Sequence, residues 1–265
     1  MADIIYEFGD TRESRAFWER NAEFEPHFDT LINLTNKCFG REYQPANRAE
    51  DVVFDLGQAC RDDFGEVVFL AVHGHGNGAM KLLRGMFERA VTAAYLMNNP
   101  EKAGRFVRYA AIQEHRMMQA TLKVVSEKEF DQAMGEDNTV ADIKRRYEEV
   151  KPEFETTMCS TCGKTRTAGS WDPLDIPSMV HQVGGPFQYF FVGAYAIPNV
   201  QIHATLASIG RNKTPREEAD FAFKLALGLM IAVIGYQNVM YKLNMDDDIA
   251  SLAKLIGAEW MIPSS

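Results

Sequence analysis

Apolar positions recur at helical spacing along nearly the whole chain, and no stretch alternates with the two-residue period of a strand. The clearest run is residues 81–95, K-L-L-R-G-M-F-E-R-A-V-T-A-A-Y. There Leu83, Phe87, Ala90 and Ala94 define one buried helix face. Arg84, Glu88 and Tyr95 make a polar stripe beside it. Upstream, Phe17, Phe24, Phe28, Leu31 and Leu34 predict one amphipathic helix over 14–39, closed by Gly40 and Pro45. A shorter helix over 48–64 turns Val52, Val53, Leu56 and Cys60 inward, and an apolar run at 67–72 follows. H-G-H-G-N-G at 73–78 is poor helix interior, since each glycine costs about 1 kcal/mol against alanine. The chain therefore turns or kinks there, exposing His73 and His75, with Asn77 placed to cap the next helix.

Asn98-Asn99-Pro100 stops that helix, and Glu101 opens another that runs to about Ser126. Residues 127–138 make a short helix or loop. Residues 140–154 are polar almost all round, which predicts a solvated, projecting helix. From 156 to 186 the chain is rich in Thr, Ser, Gly and Pro, the longest irregular stretch and the natural place for a functional loop. Two apolar helices, 187–209 and 214–243, and a last one at 246–256 complete the pattern. The fold class is all-α: an up-and-down helical bundle with a long irregular loop insertion, one domain over 1–265. Within it, 1–66 are N-terminal helices, 67–243 the core and 244–265 the C-terminal helix.

Composition changes this picture only at its edges. Apolar residues at 46% and charged residues at 25% are ordinary for a globular chain. A net charge of −9 argues against a chain whose main task is gripping bare nucleic acid, although a local basic patch could serve, and no strong DNA-binding signature is expected. Four cysteines are too few for a disulfide framework, and no leader pattern opens the chain, so the expected location is cytoplasmic. The uncharged run 225–241 raises the membrane question. It contains Gly228, Gly235, Gln237 and Asn238 and falls short of the ~20 apolar residues of a span, so it is expected to be a central core helix and no membrane is implied.

Three constellations carry chemistry. Cys159 and Cys162, followed by Gly163, look like half of a zinc knuckle. A structural zinc needs four ligands, which His181 or a second chain would have to complete; two free thiols are the plainer reading. Arg108 and His115 stand six residues apart in between, the R-x(4–6)-H spacing of HEPN-type helical ribonucleases, in which an imidazole moves protons and a guanidinium stabilises phosphorane-like charge. Tyr109 stands where that motif usually has a small polar residue. Tyr195, Asn199 and His203, at i, i+4 and i+8, share a helix face that Pro198 starts or kinks.

L-L-R-G-M-F-E, A-A-Y-L and N-N-P-E-K-A-G-R-F-V-R-Y together resemble the uncharacterised bacterial family DUF5677 over residues 67–243. The family pattern has an L-L-R-x-x-F-E helix, a break before R-F-x-x-Y, a tryptophan-centred loop and a Y-x-x-x-S-x-x-x-H helix. Here these correspond to Arg84, Glu88, Tyr95, Arg105, Phe106, Tyr109, Trp171, Tyr195 and His203. Asn199 replaces the serine, Pro198 disturbs the last helix, and C-S-T-C is extra. The resemblance implies no activity; its helical pattern is distantly similar to HEPN proteins, a likeness of fold only.

Two functions follow as expectations. The first is a helical binding or regulatory protein in which Arg84, Glu88, Tyr95 and His203 converge as a buried network, with a protein or RNA partner or a homodimer. The second is an enzyme, a HEPN-like ribonuclease or nucleotide-processing protein of toxin or phage-defence type. In it Arg84, Glu88 and His203, or Arg108 and His115, act on substrate, and Tyr95, Tyr109, Trp171, Tyr195 and Asn199 bind it.

Overall fold

The computed structural model describes residues 11–158, 161–202 and 213–255, and they are overwhelmingly helical, as the periodicity requires. They divide into two compact units: one within Met1–Asn99 and Ile176–Ser265, the other Pro100–Asp175.

The first unit is built on three long helices, α3 (Arg48–Val72), α4 (Gly76–Asn98) and α11 (Pro215–Tyr241). Asn47 starts α3 by accepting from the amides of Ala49 and Glu50 at 3.0 and 3.1 Å. The helix runs through the expected break near residue 65, because Val67 and Ala71 continue its buried stripe and Gly65 faces open space. The single helix expected over 14–39 is two, α1 (Thr11–Arg20) and α2 (Glu25–Phe39). Pro26 sits in the first turn of α2, where its missing N–H costs nothing. The buried Asn21 at the break bonds Phe17 O and the Asp220 carboxylate, both at 3.0 Å.

The glycine-rich segment is a turn. Gly74 takes φ +76°, a left-handed conformation that glycine adopts without strain. Asn77 does not cap α4; it lies inside a helix that begins at Gly76 after His75. A Cβ on Gly76 would stand 2.3 Å from Pro215 O and 2.4 Å from Ala219 N, so the starts of α4 and α11 touch backbone to backbone.

A reciprocal cap opens α11: Glu217 N donates to the Thr214 hydroxyl at 3.3 Å, and Thr214 N donates to the Glu217 carboxylate at 2.7 Å. By length and composition α11 would cross a membrane, but 72% of its most apolar window is buried against the rest of the fold. It is the core helix its pattern predicts. Gln237, itself buried, reaches from it to donate to Val53 O at 2.8 Å. Around this centre lie α8 (Ile176–Val183), α12 (Asp246–Leu255) and one helical run over residues 186–202. That run consists of α9 (Pro186–Phe190), a wide π-helical turn (Phe191–Ala196) and α10 (Ile197–Ile202). Pro198 cannot donate to the carbonyl four residues back and its ring crowds it, so the wider turn lets the helix continue instead of breaking.

The second unit packs α5 (Ala103–Thr121) against α7 (Val140–Phe154), with α6 (Glu127–Met134) between them in sequence. Ser126 and Glu129 form a capping box on α6, which is why α5 stops short of Ser126. The helix α7 is not the projecting element its charges suggest. Val140, Ile143 and Phe154 are buried, and Tyr147 and Val150 pack beside them, an apolar stripe threaded between charged positions. The irregular stretch contains a small hairpin, β1 (Glu155–Thr157) antiparallel to β2 (Thr165–Thr167) with Glu155 opposite Thr167. Three residues per strand are too few to show an alternation.

Candidate functional site

On α4, Arg84 and Glu88 form an i, i+4 ion pair at 2.7 Å, with side chains 25% and 35% exposed. The pair is half-buried, not the sealed network expected of it. The Arg84 guanidinium lies 5.5 Å from the ring centre of Tyr195, one contact between the two stripes read from the sequence. Its Nε is buried and has no hydrogen-bond partner among the described residues. Tyr95 is fully buried, and eleven residues of helix place it about 16 Å beyond Arg84 along α4. Asn199 is half-buried one turn beyond Tyr195. His203 lies outside the described residues.

A half-exposed pair of this kind contributes modestly, and the cation–π contact adds a similar amount. Arg84→Ala is therefore expected to cost about 1 kcal/mol, well short of the loss for an unpaired buried charge. A urea melt of the variant checks this.

What the arrangement does is seat the 186–202 helix. Tyr195 stacks on Phe191 at 5.3 Å and meets Phe87 of α4 at 5.9 Å, while Phe87 also touches Phe187 and Phe191 at 6.3 and 6.4 Å. Phe187, Phe190, Ala194 and Pro198 are buried on the same side. Gly193 lies where a Cβ would come 2.8 Å from Leu225 of α11, so the helix sits close on the core. The other side is apolar and open: Tyr189 is 69% exposed, Val192 61%, Val200 46% and Ile197 41%. Val192, Ala196 and Val200 are spaced at i, i+4 and i+8 and so share one face. No charged residue occurs from Gln182 to Ile202. The apolar content of 187–209 predicts a helix there but not which of its faces is covered. The lack of charge on every side of a surface helix was the available signal.

The remaining predicted residues belong to the second unit and act as its scaffold. Arg105 donates to Trp171 O at 2.7 Å and Glu153 O at 3.0 Å and lies over the Phe154 ring at 4.3 Å. Phe106 meets Trp171 edge-on at 5.1 Å. The Tyr109 hydroxyl donates to Ala168 O at 3.3 Å, and Lys102 pairs at 2.8 Å with the buried Asp172. The R-F-x-x-Y motif and the tryptophan loop thus hold each other. Arg108 grips Glu153 with two hydrogen bonds, 2.6 and 2.9 Å, which lower the carboxyl's pKa. His115 lies flat on Tyr147, ring centres 3.8 Å apart, and burial lowers its pKa. Cys162 is exposed in the hairpin connection; Cys159 lies outside the described residues. Among the described residues no three His, Cys, Asp or Glu side chains gather as a metal site.

A third feature is an apolar groove of about 500 Å³ in the first unit, lined by Trp18, Phe28, Ile32, Phe64 and Phe69 among others. Two of its polar members bond backbone carbonyls: His73 Nδ1 lies 2.8 Å from Phe69 O, and the Thr35 hydroxyl donates to Leu31 O. A third, Arg61, is paired with the Asp62 carboxylate at 2.8 Å.

Comparison with known proteins gives a match of residues 50–220 to a family of unknown function, DUF5677. The match starts inside α3, earlier than the resemblance in the sequence suggested, and ends inside α11. Neither curated proteins nor solved structures gave a match. The family description names no activity, and no HEPN relation comes with it. With the match spanning well over half of its length, the chain belongs to the family of unknown function DUF5677.

Proposed function

We propose that this chain is a helical binding protein whose working surface is the outer face of residues 186–202, and that this face receives the same face of a second copy. The observation that carries the reading is the open apolar face of Tyr189, Val192, Ile197 and Val200 on a charge-free segment. Contiguous exposed apolar surface marks interaction sites. Two copies each carrying a net charge of −9 repel over most of their surface, and a charge-free face is where they meet at least cost. An apolar helix face crossed with its own copy is self-complementary about a two-fold axis. Seventeen residues of helix extend about 25 Å, less contact than permanent dimers bury, so the dimer exchanges with monomer as concentration changes.

Amide hydrogen exchange tests this. The amides of 189–200 are expected to slow when wild-type protein is concentrated, and to be insensitive to concentration in Val192→Glu. Equal exchange in dilute and concentrated wild type would reject the reading. The ribonuclease alternative has less support: Arg108 is held by Glu153 and His115 is stacked on Tyr147, so neither is free at a common reaction point.

A further inference from the structure

The second unit has a cavity of about 330 Å³ between one face of α5 and the residues Tyr147 and Thr167. The α5 face presents Ile112, His115, Arg116, Gln119, Ala120 and Lys123, spaced as successive turns of one helix side. No carboxylate lines it, in a chain with 37 acidic residues. Elsewhere in this unit Arg105, Arg108, Arg145 and Arg146 each face a carboxylate. Arg116 differs. Its guanidinium donates to the Tyr109 hydroxyl, Gly169 O and Ala168 O, all neutral oxygens, which fix its position and leave its charge uncancelled. Lys123 is exposed at the other end of the cavity and has no ion-pair partner among the described residues. His115 and Tyr147, stacked face to face, make a rigid wall, and the Tyr147 and Thr167 hydroxyls lie 3.4 Å apart at its edge. Glu148, Lys144 and Lys151 act electrostatically on His115, and Lys151 engages Glu148 at 3.5 Å.

We propose that this cavity binds a small phosphate-bearing molecule, with Lys123 and Arg116 facing the phosphoryl oxygens and Gln119, Tyr147 and Thr167 supplying neutral hydrogen-bond partners. Several donors arranged around an uncancelled positive centre match a group with three acceptor oxygens. The volume lies within the range of small-molecule sites, large enough for a mononucleotide or a phosphorylated sugar. The site is independent of the 186–202 face.

Isothermal titration of the full chain with AMP, ribose 5-phosphate and adenosine tests it. AMP or ribose 5-phosphate is expected to bind, and adenosine, which lacks the phosphate, to bind at least tenfold more weakly. Lys123→Glu is expected to lose about tenfold or more in affinity, the scale of one charged hydrogen bond. Lys123→Arg keeps binding, and so does Lys81→Glu, which removes an exposed charge from the other unit. The proposal is overturned if neither phosphate compound binds at millimolar concentration, if adenosine binds as well as AMP, or if Lys123→Glu binds like wild type. It is equally overturned if a single-stranded RNA oligonucleotide binds while both small phosphates do not.

Discussion

Gly76→Ala is expected to destabilise the first unit by about 3 kcal/mol or more, among the larger effects of a single added methyl. The reason is where the methyl would go. It would meet Pro215 O, Ala219 N and Glu218 Cβ at 2.3 to 2.6 Å, and two of these are backbone atoms of α11 that no rotamer change can move. The starts of α4 and α11 must separate, and the apolar contacts below them loosen with that movement. Gly65→Ala is the matched control. Nothing lies within 4 Å of the added carbon in mid-helix α3, so alanine there is expected to stabilise by about 0.5–1 kcal/mol. Urea unfolding of both variants, followed by circular dichroism, should move the midpoints in opposite directions.

Phe87→Ala is expected to cost about 4 kcal/mol. Phe87 is fully buried and is the α4 residue on which Phe187, Phe191 and Tyr195 converge. Its removal leaves a cavity directly beneath the wide turn, and the aromatic rings around it cannot close the space without shifting the 186–202 helix. The variant should therefore melt earlier and also lose near-ultraviolet circular dichroism from that aromatic group. A melt close to wild type would mean the helix is held by something other than this seat.

The helices were legible where one face is apolar and the ends carry stop or cap residues. Asn98-Asn99-Pro100 ends α4, and Thr214 with Glu217 opens α11, as their chemistry dictates. Boundaries failed where a local signal competed with a longer-range one. Gly65 did not break α3, because Val67 and Ala71 keep the stripe buried, and Pro26 divided a helix that phenylalanine spacing alone made continuous. The charges of α7 hid its apolar stripe, since Val140, Ile143 and Phe154 are spread over four turns.

The candidate site was legible in part for the same reason. Helical spacing places Arg84 and Glu88 together, and Arg84 does meet Tyr195. Spacing along a single helix puts Tyr95 about three turns beyond Arg84 and two beyond Glu88. The roles of Arg105, Tyr109 and Trp171 could not be read locally. They depend on a loop some sixty residues later folding back on α5, a long-range pairing with no periodic trace in the sequence. The outer face of 186–202 was hidden by its own hydrophobicity, because buried and exposed apolar residues look alike until the core is filled.

The central claim, that this outer face joins two copies, is tested most directly by sedimentation equilibrium on the full chain from about 1 to 100 µM, the range of weak, exchanging interfaces. Wild type is expected to pass from the 29.9 kDa monomer toward twice that mass across the range. Val192→Glu and Val200→Glu, each placing a charge on an already exposed position, should remain monomeric with unchanged circular dichroism and melting. Wild type that stays at monomer mass throughout, or variants that dimerise as wild type does, would contradict it.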